Sequence, residues 1–250
     1  IPINTSLEYD GESTNDPSLN APRSLSYMFY GCTSFDKTTL SNLLETNDAS
    51  LVEYTSYMFA NSGIALLESN LISFMDKLKS VKYANAMFDS CKNLSLSSDY
   101  LYFPKLIPNS NKLVSISRIY AMCDNITGKL YTGDSTSYQL TNKYYLKSAD
   151  YVFSNTNIRG NITKPLFVNC TSLETCQGMF IWTQINSISD SIWKNCPAVH
   201  NTSYMFYACQ NLTSVDGTLF NGTIGYKRGY VSTNPSPETG QNSIIIPYPT

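Results

Sequence analysis

A short motif recurs along this chain, and its spacing constrains the fold more than any other feature. It is clearest as Ser203-Tyr204-Met205-Phe206-Tyr207-Ala208-Cys209 and returns as Ser26-Tyr27-Met28-Phe29-Tyr30-Gly31-Cys32, Ser56-Tyr57-Met58-Phe59 and Ala86-Met87-Phe88-Asp89-Ser90-Cys91. Weaker copies surround Tyr120, Phe153 and Phe180. The aromatic positions 29, 59, 88, 120, 153, 180 and 206 are separated by 30, 29, 32, 33, 27 and 26 residues. That is a period of 26 with insertions, in seven copies over nearly the whole chain. A fixed period of this length is the signature of stacked repeat architectures.

Three residues after each aromatic stand Cys32, Ser62, Cys91, Cys123, Thr156, Thr183 and Cys209. The side chain there is always small, so it faces a tight space. The Met-Phe-x-x-Cys spacing puts Met and Cys four apart, which predicts one face of a short helical turn. A half-period series interleaves with the first. Phe167, Phe180, Trp193, Phe206 and Phe220 step by 13, 13, 13 and 14 residues, so each coil has two turning points. A coil of this size cannot bury its own apolar face. Stacked coils can, and each Phe, Cys and Leu then meets its own kind about 4.8 Å above and below. The interchange of Cys with Ser and Thr at one position predicts buried free thiols rather than disulfides. Cys176 lies off that column, within reach of either Cys170 or Cys196.

These residues resemble a known family. The pattern Ser-Tyr-Met-Phe-x-x-Cys-x-x-Leu-Thr-Ser-Val-Asp at 203–216 is similar to the bacterial surface-protein repeat of roughly 25–26 residues, the BspA-like or Treponema pallidum-type class of leucine-rich repeats. Residues 201–216 match closely, and 24–35, 54–64 and 83–96 match clearly. Residues 116–126, 149–158 and 175–185 are degenerate copies. The resemblance covers about residues 24–226. It implies an α/β solenoid, a leucine-rich-repeat-like right-handed coil of about seven 26-residue repeats with short parallel strands and short helical turns. It also implies a curved surface module of bacteria, protists or phage particles, used in adhesion or recognition and not in catalysis. The family has no fixed functional residues to carry over.

The rest of the chain departs from the pattern. Residues 1–23, with Pro2, Pro17 and Pro22, read as an N-terminal leader or cap. The solenoid is expected over 24–226, with insertions near 65–82, 95–115 and 129–148. Apolar residues in 66–78 recur with helical spacing and predict an amphipathic helix. The stretches 95–115 and 129–148 are rich in Tyr, Ser and Asn and read as protruding loops. Residues 227–250, with Pro235, Pro237, Pro247 and Pro249, read as a C-terminal cap or linker. A start at Ile1 without a charged and then apolar leader predicts a removed targeting segment or a piece of a larger protein or assembly. No apolar run approaches the ~18 residues of a membrane span, so no membrane insertion is expected within this chain.

Composition narrows the function classes. Seventeen Lys+Arg balance nineteen Asp+Glu, so no basic surface for nucleic acid is expected. Asn, Ser and Thr number 24, 33 and 23, and charged residues are only 14%, so the polar surface is mostly amide and hydroxyl. His200 is the only histidine, which disfavours triads, and its position reads as a strand-edge surface residue. No C-x2-C pair, phosphate-binding loop or dinucleotide fingerprint occurs. No enzyme, cofactor or metal is expected. The acidic run Asp10–Asp16 is the nearest to a calcium loop, and it lacks the closing Glu. The candidate binding residues are Tyr27, Tyr30, Tyr57, Tyr204 and Tyr207, which flank the buried Met-Phe pair. Tyr beside Ser and Asn suits recognition, since it offers amphipathic contact at low entropic cost. The competing reading is a shield over the convex edge. The partner expected is a protein or glycan on a cell or virion surface, in an extracellular setting. Alternatives are a phage virion structural or receptor-binding component, such as a head fibre, and a carbohydrate-active enzyme on a repeat scaffold.

Overall fold

In the motif, backbone conformation is dictated by two corners. The first corner falls at Tyr27, Tyr57, Ala86, Arg118, Tyr151, Gly178 and Tyr204, all with φ between 52° and 60°. The second falls four residues on, at Gly31, Asn61, Ser90, Met122, Asn155, Trp182 and Ala208. A left-handed residue at the third place of a four-residue turn defines a type II turn. In the first copy the turns close as Met28 N to Leu25 O, Tyr30 N to Tyr27 O and Cys32 N to Phe29 O, at 3.2, 3.1 and 3.2 Å. Three linked turns therefore replace the short helical turn expected from the Met-to-Cys spacing. A helix requires right-handed φ throughout, and two corners per copy break it.

The computed structural model describes residues 22–34, 49–65, 68–95, 100–101, 105, 107–130, 140–188, 192–215, 219, 230–232 and 243–245. The leader 1–21 and most of 227–250 lie outside these residues, as do Phe220 and the acidic run Asp10–Asp16. Among the described residues one α-helix, α1 (Glu68–Lys77), occupies the segment with helical spacing. Ten short strands follow: β1 (Tyr100–Leu101), β2 (Thr127–Leu130), β3 (Leu140–Thr141), β4 (Asn157–Ile162), β5 (Phe167–Val168), β6 (Gln184–Ile188), β7 (Trp193–Lys194), β8 (Ser214–Val215), β9 (Tyr230–Ser232) and β10 (Ser243–Ile245). Two parallel sheets form, in the orders β1-β2-β4-β6-β8 and β3-β5-β7, while β9 and β10 pair antiparallel. A further ladder of single parallel bridges joins Ser24, Tyr54, Tyr83, Ser115, Ser148, Thr175 and Asn201 in turn. Of the stretches read as loops, Ile107, Ser110, Leu113 and Leu146 are buried and join the core, and 131–139 lie outside the described residues.

Alternate amides of each pass bond to the next. Leu25, Tyr27, Phe29 and Gly31 donate to the carbonyls of Tyr54, Ser56, Met58 and Ala60, at 2.8–3.1 Å. The register stacks the seven motif aromatics. Phe29, Phe59, Phe88, Tyr120, Phe153, Phe180 and Phe206 follow one another at ring separations of 5.4, 5.3, 5.4, 6.4, 6.0 and 5.6 Å, all nearly parallel. Each such pair contributes about 0.5–1.5 kcal/mol beyond its buried area.

The small column has a hydrogen-bonding reason as well as a steric one. The Cys91 and Cys123 thiols each lie 2.9 Å from the carbonyl of the preceding pass's aromatic, Phe59 and Phe88. Cys209 does the same to Phe180 at 2.9 Å. Thr156 and Thr183 hydroxyls donate to Phe153 O and Phe180 O within their own pass, at 2.8 and 2.9 Å. A small side chain carrying S–H or O–H satisfies a buried carbonyl, so Cys, Ser and Thr interchange. All seven cysteines are free thiols, and all but Cys32 are buried. Cys176 pairs with neither Cys170 nor Cys196, and accepts the indole N–H of Trp193 at 3.4 Å.

At the opposite turning point β5 and β7 are in register, Phe167 with Trp193. Beside them Asn142, Asn169 and Asn195 all adopt φ near 55°. Their amides form a ladder, Asn169 Nδ2 to Asn142 Oδ1 at 3.0 Å and Asn195 Nδ2 to Asn169 Oδ1 at 2.9 Å. Asn tolerates this conformation and its side chain continues the stack.

Candidate recognition face

Residues two apart in the bridged segment share one face. The bridged column itself is Ser24, Tyr54, Tyr83, Ser115, Ser148, Thr175 and Asn201. Two residues later come Ser26, Ser56, Asn85, Ser117, Asp150, Gln177 and Ser203. The first-corner residues adjoin this second column.

Hydroxyls, amides and one carboxylate link the columns across several passes. The Ser115 hydroxyl donates to Asn85 Oδ1, and Ser117 and Ser148 hydroxyls contact one another. Asp150 accepts from Ser148 Oγ at 2.8 Å, Thr175 Oγ1 at 2.9 Å and the Gln177 amide at 2.6 Å. Its carboxylate is thus a fixed bracket across two passes. One residue upstream of the bridges runs a charged strip. Glu53 pairs with Lys82 at 2.9 Å and Arg23 at 3.5 Å, and Lys147 pairs with Glu174 at 3.8 Å. The hydrogen bond from Lys82 holds the Glu53 carboxyl below its ordinary pKa and raises that of Lys82.

The tyrosines stand at the corners of this face. Tyr27 is 57% exposed, Tyr204 59% and Tyr30 49%. Tyr57 is half-buried because Tyr27 stacks on it at 4.9 Å, and Tyr207 is half-buried with Tyr204 edge-on at 6.1 Å. The Tyr30 hydroxyl accepts from Asn61 Nδ2 at 3.3 Å. Tyr27, Tyr57 and Tyr30 form one group on the first two passes, and Tyr204 and Tyr207 form another on the last. Ala86, Arg118, Tyr151 and Gly178 take the corners between them, and Arg118 pairs with Asp89 at 2.7 Å.

The chain matches no known family model, curated protein or solved structure.

Further aromatics belong to this surface beyond the five read from sequence. Tyr54 is exposed and stacks on Tyr83 at 5.7 Å, in the bridged column itself. Both precede their motif Phe by five residues, so the spacing carried the signal. Trp182 occupies a second corner and is exposed; Tyr144 and Tyr145 are exposed too, but stand near the other turning point, apart from this group. His200 is exposed, and its Nδ1–H donates to Ala198 O at 2.9 Å. Among the described residues no group of three His, Cys, Asp or Glu side chains is arranged to hold a metal ion. No helix among them is long and apolar enough to cross a membrane.

Proposed function

We propose that this chain is a non-enzymatic recognition module: a leucine-rich-repeat-like solenoid of the BspA-like kind, displayed outside the cell and presenting its tyrosine and hydroxyl face to a protein or glycan partner. One observation carries the reading. Four of the seven first corners hold Tyr with φ of 57–60°, where only Gly is free of steric cost. A side chain in that conformation costs about 1–2 kcal/mol per residue. Gly178 occupies the equivalent corner with φ +57°, so the corner accepts glycine. Tyrosines kept at a backbone cost, with Tyr27 and Tyr204 exposed and Tyr57 and Tyr151 half-buried, support a use for the side chain. The hydroxyl and amide ladder behind them, bracketed by the Asp150 carboxylate, supplies a rigid polar backing, and preorganised aromatic contacts lose little entropy on binding.

The test is binding of the labelled chain to a panel of intact bacterial and host cells, beside Tyr27→Gly, Tyr57→Gly and Tyr204→Gly variants. The reading expects saturable binding that falls in the variants while their thermal midpoints stay close to the parent's. Variants that melt earlier and bind unchanged would make the tyrosines a shield and overturn it.

A further inference from the structure

One residue past the asparagine ladder, Lys143, Cys170 and Cys196 occupy a single column. The pairings Phe167–Trp193 and Val168–Lys194 carry forward to set Cys170 opposite Cys196, and Leu140–Phe167 sets Lys143 opposite Cys170. Neighbouring strands lie about 4.8 Å apart. That spacing is inside the Cα range a disulfide bridges, about 4.4–6.8 Å. All three residues are buried. The Cys170 thiol lies 3.3 Å from Leu140 O, and that of Cys196 lies 3.4 Å from Lys194 O. Lys143 Nζ donates to Ser110 O at 2.9 Å and Asn111 Oδ1 at 3.2 Å. An ammonium group has three hydrogens, so these two bonds leave one for a further acceptor.

We propose that Cys170 and Cys196 form a redox-active dithiol, which a hydroperoxide closes into a disulfide between neighbouring passes, with Lys143 favouring Cys170 as the attacking thiolate. The Cys170 thiolate attacks the terminal peroxide oxygen. The O–O bond breaks, Cys170 becomes a sulfenic acid, and the departing alkoxide or hydroxide takes the proton that Cys170 released. The Cys196 sulfur then attacks the Cys170 sulfur. The S–S bond forms, the S–O bond breaks, and hydroxide leaves with the Cys196 proton as water. Two thiols and one hydroperoxide give one disulfide, one alcohol (or water) and one water. The two electrons lost by sulfur reduce the peroxide. A buried cation beside a thiol favours thiolate, which is the nucleophile in such steps. In keeping with this geometry, the Cys196 S–H and the Lys143 charge draw the Cys170 thiol below its ordinary pKa against the effect of burial.

The same fold supplies a control. Cys91 and Cys123 also face each other on neighbouring passes, in the small column, and both are buried. There burial pushes Cys91 up to about 11 and raises Cys123, with Asp89 adding to both.

The experiment treats the folded chain with hydrogen peroxide, then denatures and alkylates it, and maps linked peptides by mass spectrometry. The expected product is lighter by two hydrogens and linked Cys170–Cys196, while Cys91 and Cys123 alkylate. Cys196→Ser should fold, since Ser62 fills the analogous small site, and should leave a Cys170 sulfenic acid that dimedone captures. Lys143→Gln should slow closure roughly tenfold. All seven thiols alkylating after peroxide, or Cys91–Cys123 closing as fast, would overturn the proposal from the unmutated chain alone. An unchanged rate in Lys143→Gln would remove the lysine from it.

Discussion

Truncating Phe88 to alanine tests the stacked aromatic column most directly. Its ring is fully buried between Phe59 at 5.3 Å and Tyr120 at 5.4 Å, tilted by only 8° and 2°. Two ring pairs contribute about 1–3 kcal/mol. With the lost area and the cavity, Phe88→Ala should cost about 3–5 kcal/mol. Phe29→Ala is the comparison. Phe29 is half-buried and, among the described residues of the column, stacks on Phe59 alone, at 5.4 Å. It should cost about half as much, roughly 1.5–2.5 kcal/mol. Urea unfolding followed by far-UV circular dichroism gives both values. Trp182 and Trp193 are the only tryptophans, so fluorescence reads the later passes alone. Stacked arrays couple mainly between nearest neighbours. The Phe88→Ala defect should therefore advance the circular dichroism transition more than the fluorescence transition. A cost for Phe88→Ala below about 1 kcal/mol, or no greater than that of Phe29→Ala, would refute the column as the main source of cohesion.

Thr183→Val removes the hydroxyl that serves Phe180 O at 2.9 Å and touches Cys209 Sγ at 3.4 Å, and should cost about 1 kcal/mol in the same assay. Thr183→Ser, which keeps the hydroxyl within reach of Phe180 O, should recover most of that loss. Gly178→Ala should cost about 2 kcal/mol, because the corner is left-handed and the added Cβ meets the Tyr151 ring; a neutral result would show that the ring simply moves aside. Glu53 has a lowered carboxyl pKa in the folded chain, so its pairing stabilises above the unfolded carboxylate range and is lost as pH falls through the lowered value. Glu53→Gln should flatten that part of the acid limb of the thermal midpoint, and an unchanged limb would assign the acid sensitivity elsewhere.

The sequence revealed the inward-facing residues better than the backbone path. The spacing of Phe29 to Phe206 placed every ring of the column, because a ring fits only where another lies above or below it. The Cys, Ser and Thr interchange located the small column, though its cause, a donor for the aromatic's carbonyl, needed coordinates. The helix α1 was legible from its apolar spacing. The corners were hidden. Type II turns advertise themselves through Gly or Asn, and here Tyr, Arg, Ala, Met and Trp stand in left-handed positions instead. Met and Cys four apart then imitate a helical face. Tyr54 and Tyr83 escaped notice because Ser, Thr and Asn fill most of their column. Lys143 was equally opaque: nothing in Thr141-Asn142-Lys143 indicates that this lysine continues a line of cysteines.

Within the motif, the hydrogen bonds between passes also run in one direction. From Leu25 to Gly31 each amide that leaves the pass points toward the later one, and the even-numbered amides close turns within it. The carbonyls of Ser24, Ser26, Met28 and Tyr30 therefore face away from the later pass, while the Leu25–Gly31 amides between them are committed. Two such edges brought together by a two-fold axis would set acceptor against acceptor. Over this segment, backbone pairing between copies is favoured head to tail, with the donor side of one last motif meeting the acceptor side of another's first. Head-to-tail contacts of this kind close into rings where the rotation between copies permits, and otherwise grow into filaments until something covers an end.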